Sequence, residues 1–182
     1  MSEVSDRYAT IAAGFGARVT GVPPDKWSSP SPCTEWTAVD VVAHVVNVHR
    51  RVLASLDGSE PDVAGPGDDL PARWSEATAS MAEALTDADR ASTVVGGMFG
   101  DQPFESVVGR LLCTDTLLHT WDLARASGQD DHLDARAVAK ALEFLGPIDE
   151  AIRRPGGFAP KIEPAEDADE QTRLLNFAGR AT

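Results

Sequence analysis

The chain has 182 residues, enough for one domain with a sizeable core, and 16 basic against 29 acidic residues give it a formal net charge of -13. Nucleic acids and anionic membranes would be repelled by this acidity, so neither is expected as a partner. Two cysteines without a CxxC pair exclude a disulfide framework and a zinc ribbon. With no signal-peptide layout and no apolar run near the ~20 residues of a membrane span, we expect a cytoplasmic protein.

The first two predicted segments are helices. Apolar residues at every third or fourth position predict a helix over residues 4–19, which ends before a proline-rich loop. A second helix is predicted to begin at Thr37, where Thr37-Ala-Val-Asp40 has the form of a capping box. Its many valines also suit a strand, but polar residues that recur every three or four positions favour a helix.

Further helices are predicted beyond a Gly/Pro/Asp-rich loop. They cover residues 70–85, 104–126 and 134–144, and an amphipathic helix with Leu174, Leu175 and Phe177 follows in the tail. The segment over residues 93–104 can form a short β-hairpin, and residues 153–157 are predicted to end the helical segment that precedes them. The sequence thus predicts one all-α domain over residues 1–182.

Asp115 and His119 stand four residues apart in the predicted helix over residues 104–126. This spacing places both side chains on one face, with Cβ atoms about 5–6 Å apart. A carboxylate and an imidazole at that separation can bind one cation, because metal–ligand bonds are only about 2.0–2.2 Å long. His44, which lies among valines in the second helix, is the predicted third ligand.

Two carboxylates are predicted to support these ligands. Asp40 stands four residues before His44, but it falls in the first turn of its helix, so we expect it to cap that helix or to orient a ligand. Asp122 shares a helix face with His119 and is predicted to orient a ligand or a bound water. A surface carboxylate near the helix end is the alternative interpretation of Asp122.

The remaining histidines and the cysteines are predicted to have no chemical role. His49 has two arginines as sequence neighbours and His132 lies in a polar turn, so both are expected at the surface. Cys113 is predicted to lie in the core. Cys33 has neither a nearby base nor a CxxC partner in the sequence, which favours a structural or incidental role.

Three segments carry a resemblance to a known family. They are Pro32-Cys-Thr-Glu-Trp-Thr-Ala-Val-Asp-Val-Val-Ala-His44, Asp115-Thr-Leu-Leu-His-Thr-Trp-Asp-Leu-Ala-Arg-Ala-Ser-Gly128 and Arg173-Leu-Leu-Asn-Phe-Ala-Gly-Arg180. The first resembles a PCxxW(T/S)xxDLxxH segment, the second an acidic residue followed by HxWDLAxAxG, and the third a family tail. The family is that of actinobacterial metal-binding proteins of the DinB-like superfamily, related to the N-terminal domain of mycothiol-dependent maleylpyruvate isomerase.

The resemblance implies a DinB-like four-helix bundle, here with extra C-terminal helices, and a divalent metal in an open three-ligand site. Zinc or nickel is the usual metal of this family, and its ligands correspond to His44, Asp115 and His119. Asp115 stands where the isomerase has the longer Glu, so the metal must lie nearer that helix or bind less well. The isomerase also uses a further C-terminal domain, which argues against isomerisation of maleylpyruvate itself.

The leading hypothesis is a mycothiol-dependent transferase or isomerase-like metalloenzyme that acts on a small electrophilic molecule. Three protein ligands leave positions on a metal for a cofactor thiol, whose thiolate form the metal favours. The alternatives are a hydrolase with metal-activated water, a sensor or store for metal or ligand, and a metal-free core of hydrogen-bonded residues. The expected partners are a small-molecule substrate and a low-molecular-weight thiol, and the Trp74 helix and the tail leave a homodimer open.

Overall fold

Over the residues that the structure describes, the protein is all-α apart from one small β-hairpin, as the sequence predicts. The structure is a computed structural model, and it describes residues 2–65, 67–97, 100–153 and 157–182. In chain order these form α1 (Glu3–Gly21), α2 (Ala38–Asp57), α3 (Leu70–Thr86), α4 (Ala88–Ser92), β1 (Val94–Val95), β2 (Gln102–Pro103), α5 (Phe104–Val107), a π-helical segment (Val108–Leu112), α6 (Cys113–Ser127), α7 (Ala135–Leu145), a 3-10 turn (Gly146–Ile148), α8 (Asp149–Ile152) and α9 (Glu170–Phe177).

The long helices α1, α2, α3 and α6 form a four-helix bundle. Both α1 and α2 pack against α3 and α6, while α7 packs on α6 and α9 packs on α7. Large side chains such as Phe15, Met81 and Leu118 are fully buried between the helices. Burial of each such side chain stabilises the fold by about 1.5–3 kcal/mol, which makes this apolar interior the main source of stability.

Local signals define the helix that carries His44. Thr37 is the N-cap of α2, and it forms a capping box with Asp40, whose carboxylate accepts from the Thr37 backbone N–H at 2.9 Å. The helix ends at Gly58, whose φ of 60° lies in the left-handed region that favours glycine. The predicted beginning of α2 is therefore confirmed, together with the capping role of Asp40.

A π-helical segment leads into the helix that carries Asp115 and His119. The sequence predicts one regular helix here, but the hydrogen bonds over Val108–Leu112 have the wider π spacing. Helix α1 approaches this segment closely at Gly109, where an added Cβ would lie 2.9 Å from Arg7 and 3.1 Å from Val4. Arg7 also donates to the Gly109 carbonyl at 3.0 Å, which ties the beginning of this helix to α1.

Other expectations have mixed outcomes. The hairpin is confirmed, since Val94 pairs with Pro103 in an antiparallel register, although residues 98–99 lie outside the described part of the chain. Helix α4 was not predicted, and residues 154–156 of the predicted interruption are likewise not described. Trp74 is buried in the core of its own chain, while other residues of α3 are exposed. Within the described ranges, no helix is both long and apolar enough to cross a membrane.

Candidate metal centre

His44, Asp115 and His119 meet between α2 and α6. The Asp115 Oδ1 atom lies 3.2 Å from His44 Nε2 and 3.6 Å from His119 Nε2. One donor atom from each residue lies within 4.8 Å of the other two. Four ligands arranged as a tetrahedron around a cation, with bonds near 2.1 Å, lie about 3.4 Å from one another. The two distances to Asp115 match this separation, so the shorter Asp side chain reaches both imidazoles without the extra methylene of Glu.

The orphaned second oxygen of Asp115 adds to the fit. Asp115 Oδ2 is buried and has no hydrogen-bond partner among the described residues, a costly state for a carboxylate oxygen. The side chains of His44 and Asp115 are 28% and 22% exposed, whereas that of His119 is only 8% exposed. The cluster is therefore buried on its His119 side and accessible to solvent on its His44 side. Two imidazoles and one carboxylate are a donor set that suits a divalent cation such as zinc.

Asp122 holds the His119 ring in place. Its Oδ2 atom accepts a hydrogen bond of 2.8 Å from His119 Nδ1, and the Asp122 side chain is fully buried. Because a carboxylate can only accept, Nδ1 carries the proton and Nε2 faces Asp115. The alternative interpretation of Asp122 as a surface carboxylate is wrong, and its contact with His119 agrees with the predicted orienting role.

Arg180 extends this chain of contacts into the C-terminal tail. Its Nε and Nη2 atoms donate to the two oxygens of Asp122, at 3.1 and 2.7 Å. Both residues are buried, so the carboxylate is balanced by a two-point guanidinium contact. Sequence reasoning missed Arg180, because 58 residues separate it from Asp122. A carboxylate on the inner face of a helix is unfavourable unless a cation pairs with it. The inward position of Asp122 is therefore the signal that could have predicted a partner such as Arg180.

Trp36 covers one side of the cluster. Its ring centroid lies 4.7 Å from that of His44 and 5.5 Å from that of His119, and it stacks on the His119 ring with an angle of 27° between the planes. Trp36 belongs to a tight loop before α2, in which its N–H donates to the Cys33 carbonyl at 3.0 Å. The preceding Glu35 has a φ of 69°, a strained value for a residue with a side chain. Trp36 was not among the residues predicted for the site.

Charges around the cluster shift two pKa values in opposite directions. Burial alone would raise the pKa of Asp115, but the positive charge of His119 and hydrogen bonds from both histidines hold it well below its usual range. Burial alone would lower the pKa of His119, yet Asp115 and Asp122 raise it to about 9. Without a metal, the site therefore holds a proton on His119 between two carboxylates, and a cation must displace that proton.

None of the other residues considered from the sequence belongs to this group of possible ligands. Asp40 is exposed and hydrogen-bonds Thr37. The surface prediction for His49 is wrong: the residue is 0% exposed, and its Nδ1–H donates to the Val45 carbonyl at 2.8 Å. His132 is exposed and Cys113 is buried, as predicted, while Cys33 is half-buried.

A second group of metal-type side chains, Asp130, Asp131 and His132, lies on the turn after α6. Its carboxylates already pair with cations, since Asp131 contacts Arg125 at 3.2 Å and Asp130 contacts Arg18 at 3.7 Å. All its members come from one short turn. The cluster between α2 and α6 is therefore the candidate site.

The fold and the site define a class, that of helical bundles with a His–Asp–His cluster between two bundle helices. Residues 8–124 match the model of the mycothiol maleylpyruvate isomerase N-terminal domain, and the chain belongs to this family. It is also similar to two uncharacterized proteins of Mycobacterium tuberculosis, Rv0738 and MT0763. Each is 32% identical to it over 171 residues, which cover 91% of both chains. No solved structure matches. The resemblance stated from the sequence is thus confirmed.

Proposed function

We propose that the protein binds a divalent metal through His44, Asp115 and His119 and uses it with a mycothiol-type thiol. The reaction class would be that of an S-transferase or isomerase acting on a small electrophilic molecule. The single observation that carries the proposal is the spacing of the three donor atoms, with Asp115 Oδ1 at 3.2 and 3.6 Å from the two imidazoles. The match to a family whose description names mycothiol supports the choice of thiol.

The residues of the site divide the work between them. Asp115 is already a carboxylate and needs no deprotonation. The imidazoles of His44 and His119 offer nitrogen donors that suit zinc or nickel, His119 after loss of the proton that its carboxylate neighbours favour. A bound divalent metal would supply Lewis acidity, which favours the thiolate form of a thiol near neutral pH. Trp36 packs on both histidine rings, and substrate and thiol would approach past the partly exposed side chains of His44 and Asp115.

The first experiment tests the metal ligands. The wild-type protein, His44→Ala, His119→Ala and the control His132→Ala are loaded with zinc or nickel, desalted and analysed for bound metal. We expect about one ion per chain for the wild type and for His132→Ala, and a large loss for the other two variants. The proposal fails if the wild type retains no metal, or if the two ligand variants retain as much as the control.

The second experiment tests the thiol. Mycothiol is titrated into the cobalt-loaded protein, and an analogue with a hydroxyl in place of the thiol serves as control. We expect a change in the cobalt absorption bands and release of a proton with mycothiol alone. No response at millimolar thiol overturns the thiol part of the proposal. An activity that persists without thiol would instead indicate a hydrolase.

A further inference from the structure

We propose that Arg180 is a positioning residue of the metal site, which fixes the His119 imidazole through Asp122. This inference rests on the proposed metal-binding function. It assigns to the C-terminal tail a part of the site that lies outside the family match over residues 8–124. Arg180 would touch neither metal nor substrate, and its effect would pass through a single carboxylate.

The geometry forms an unbroken chain of charged contacts. Arg180 Nε and Nη2 donate to Asp122 Oδ1 and Oδ2 at 3.1 and 2.7 Å. Asp122 Oδ2 in turn accepts from His119 Nδ1 at 2.8 Å, and His119 Nε2 faces Asp115 at 3.6 Å. Each oxygen of Asp122 thus has a fixed partner. The carboxylate cannot rotate without breaking a charged hydrogen bond, and the imidazole that depends on it is held in one orientation.

Arg180 is itself held by the tail. Its Nη1 atom donates to the Ala178 carbonyl at 2.9 Å, and its own carbonyl accepts from the Asn176 side chain at 3.0 Å. The side chain is only 10% exposed, and that of Asp122 is 0% exposed. Such a contact stays fixed because the folded tail, rather than a mobile surface chain, presents the guanidinium.

Loss of the guanidinium would leave Asp122 as a buried carboxylate with one partner. A buried charge without its counter-charge is strongly unfavourable, so the carboxylate would move toward water or take up a proton. In either case the fixed hydrogen bond to His119 Nδ1 weakens. Loss of such an outer contact to a metal-binding histidine typically lowers metal affinity by about 10–100-fold.

The test compares Arg180→Met with Arg153→Met. Arg153 also secures the tail, since its Nη2 donates to the Phe177 carbonyl at 2.8 Å, but its other hydrogen bonds go to Asp149 and the Ala159 carbonyl rather than to Asp122. Cobalt affinity is measured by competition with a chelator, and folding by circular dichroism and melting temperature. We expect a loss of affinity of about 10–100-fold and altered cobalt bands for Arg180→Met, and wild-type values for Arg153→Met. Equal effects of both variants would assign Arg180 to tail docking alone and overturn the inference.

Three further variants keep the test decisive. Arg180→Lys keeps the buried charge but loses the two-point contact, so it should fold and show a smaller loss of affinity. It answers the question if Arg180→Met does not fold, and wild-type affinity in Arg180→Lys would then contradict the inference. Asp122→Asn combined with Arg180→Met should bind cobalt no more weakly than Asp122→Asn alone, because both changes break one chain of contacts. Additive losses would contradict it.

A metal-free measurement separates this inference from the proposed function. In the apoprotein, nitrogen–proton NMR of the His119 ring, assigned with His119→Gln, should show an Nδ1–H signal in the wild type and in Arg153→Met. The signal should be lost or broadened in Arg180→Met. A wild type that binds no cobalt overturns the proposed function, yet the NMR result still decides whether Arg180 positions His119. A signal unchanged in Arg180→Met overturns the role of Arg180, whatever the metal result.

Discussion

Two histidines lie in the interior of the same bundle, and their surroundings shift their pKa values in opposite directions. His49 is 0% exposed among apolar and aromatic side chains, with the Trp74 ring centroid 4.7 Å away, and burial lowers its pKa to about 4. His119 is 6% exposed, but Asp115 and Asp122 raise its pKa to about 9 despite the opposing effect of burial. Carboxylate neighbours, rather than burial, therefore distinguish the candidate metal histidine from a structural one.

The difference begins in the sequence four residues upstream of each histidine. Asp115 stands at that position for His119, whereas Val45 stands there for His49 and contributes only its backbone carbonyl. His44 has Asp40 at the same spacing, yet its carboxylate contact is to Asp115 on the other helix. An upstream carboxylate is thus informative only when both side chains turn inward, as they do on α6.

Removal of the shared carboxylate should have the largest effect. Asp115→Ala deletes the group that lies between the two imidazoles and leaves His119 with only Asp122. We expect metal affinity to fall by more than about 100-fold, beyond the range typical of outer contacts. Chelator competition with zinc or cobalt measures this loss, and Asp130→Ala on the exposed turn is the control. Affinity within tenfold of the wild type would show that the carboxylate does not distinguish His119 from His49.

The buried position of His49 should make the free energy of unfolding depend on pH. Its pKa is about 4 in the folded protein and about 6.5 in an unfolded chain, so between these values only the unfolded state takes up the proton. Acidification from pH 6.5 to 4 should therefore lower the free energy of unfolding by about 3 kcal/mol from this group.

His49→Phe, which fills the same apolar space without titrating, should lack this part of the acid sensitivity. Urea unfolding of both proteins at pH 7, 6 and 5 gives the comparison, because the remaining titrating groups are shared. Parallel curves for the two proteins would refute the assignment of this acid sensitivity to His49.

The raised pKa of His119 should make the metal affinity depend on pH. Below about pH 9 the metal-free protein carries a proton on His119, and a cation must displace it. Affinity should therefore rise with pH, by about tenfold per unit between pH 7 and 9, and level off above the pKa. Calorimetry in buffers of different ionisation enthalpy measures the released proton. A metal affinity that does not change over this pH range would show that the metal displaces no proton from His119.

The helices and the Asp115–His119 pair were predictable because their signals are local, whereas His44 was predicted as a polar residue among the valines of the second helix. Periodicity, the Thr37–Asp40 capping box and the spacing of Asp115 and His119 each act within one or two turns of a helix. His49 was misjudged because its sequence neighbour Arg50 faces elsewhere on the helix, where it pairs with Asp62 and Glu76. Adjacent residues on a helix do not share a face.

The missed features depend on contacts between distant segments. Arg180 reaches Asp122 only after the tail has packed on the bundle, and nothing in the sequence around Arg180 indicates this partner. The π-helical segment Val108–Leu112 is a change of hydrogen-bond register that leaves the apolar pattern almost unaltered. Trp36 lies in an irregular loop, where periodicity gives no direction for a side chain.

Substitution of Trp36 should have the smallest effect on metal affinity, and it tests the contrast between the two histidines. Trp36 packs on His44 and His119 from the rim of the site, as Trp74 packs on His49 inside the core. Because Trp36 donates no ligand, Trp36→Ala should lower metal affinity by less than about tenfold while speeding metal release to a chelator. Trp27→Ala, which changes a partly buried tryptophan of the same loop region, is the control. An affinity loss as large as that of Asp115→Ala would mean that aromatic packing, rather than carboxylate contact, holds the histidines together.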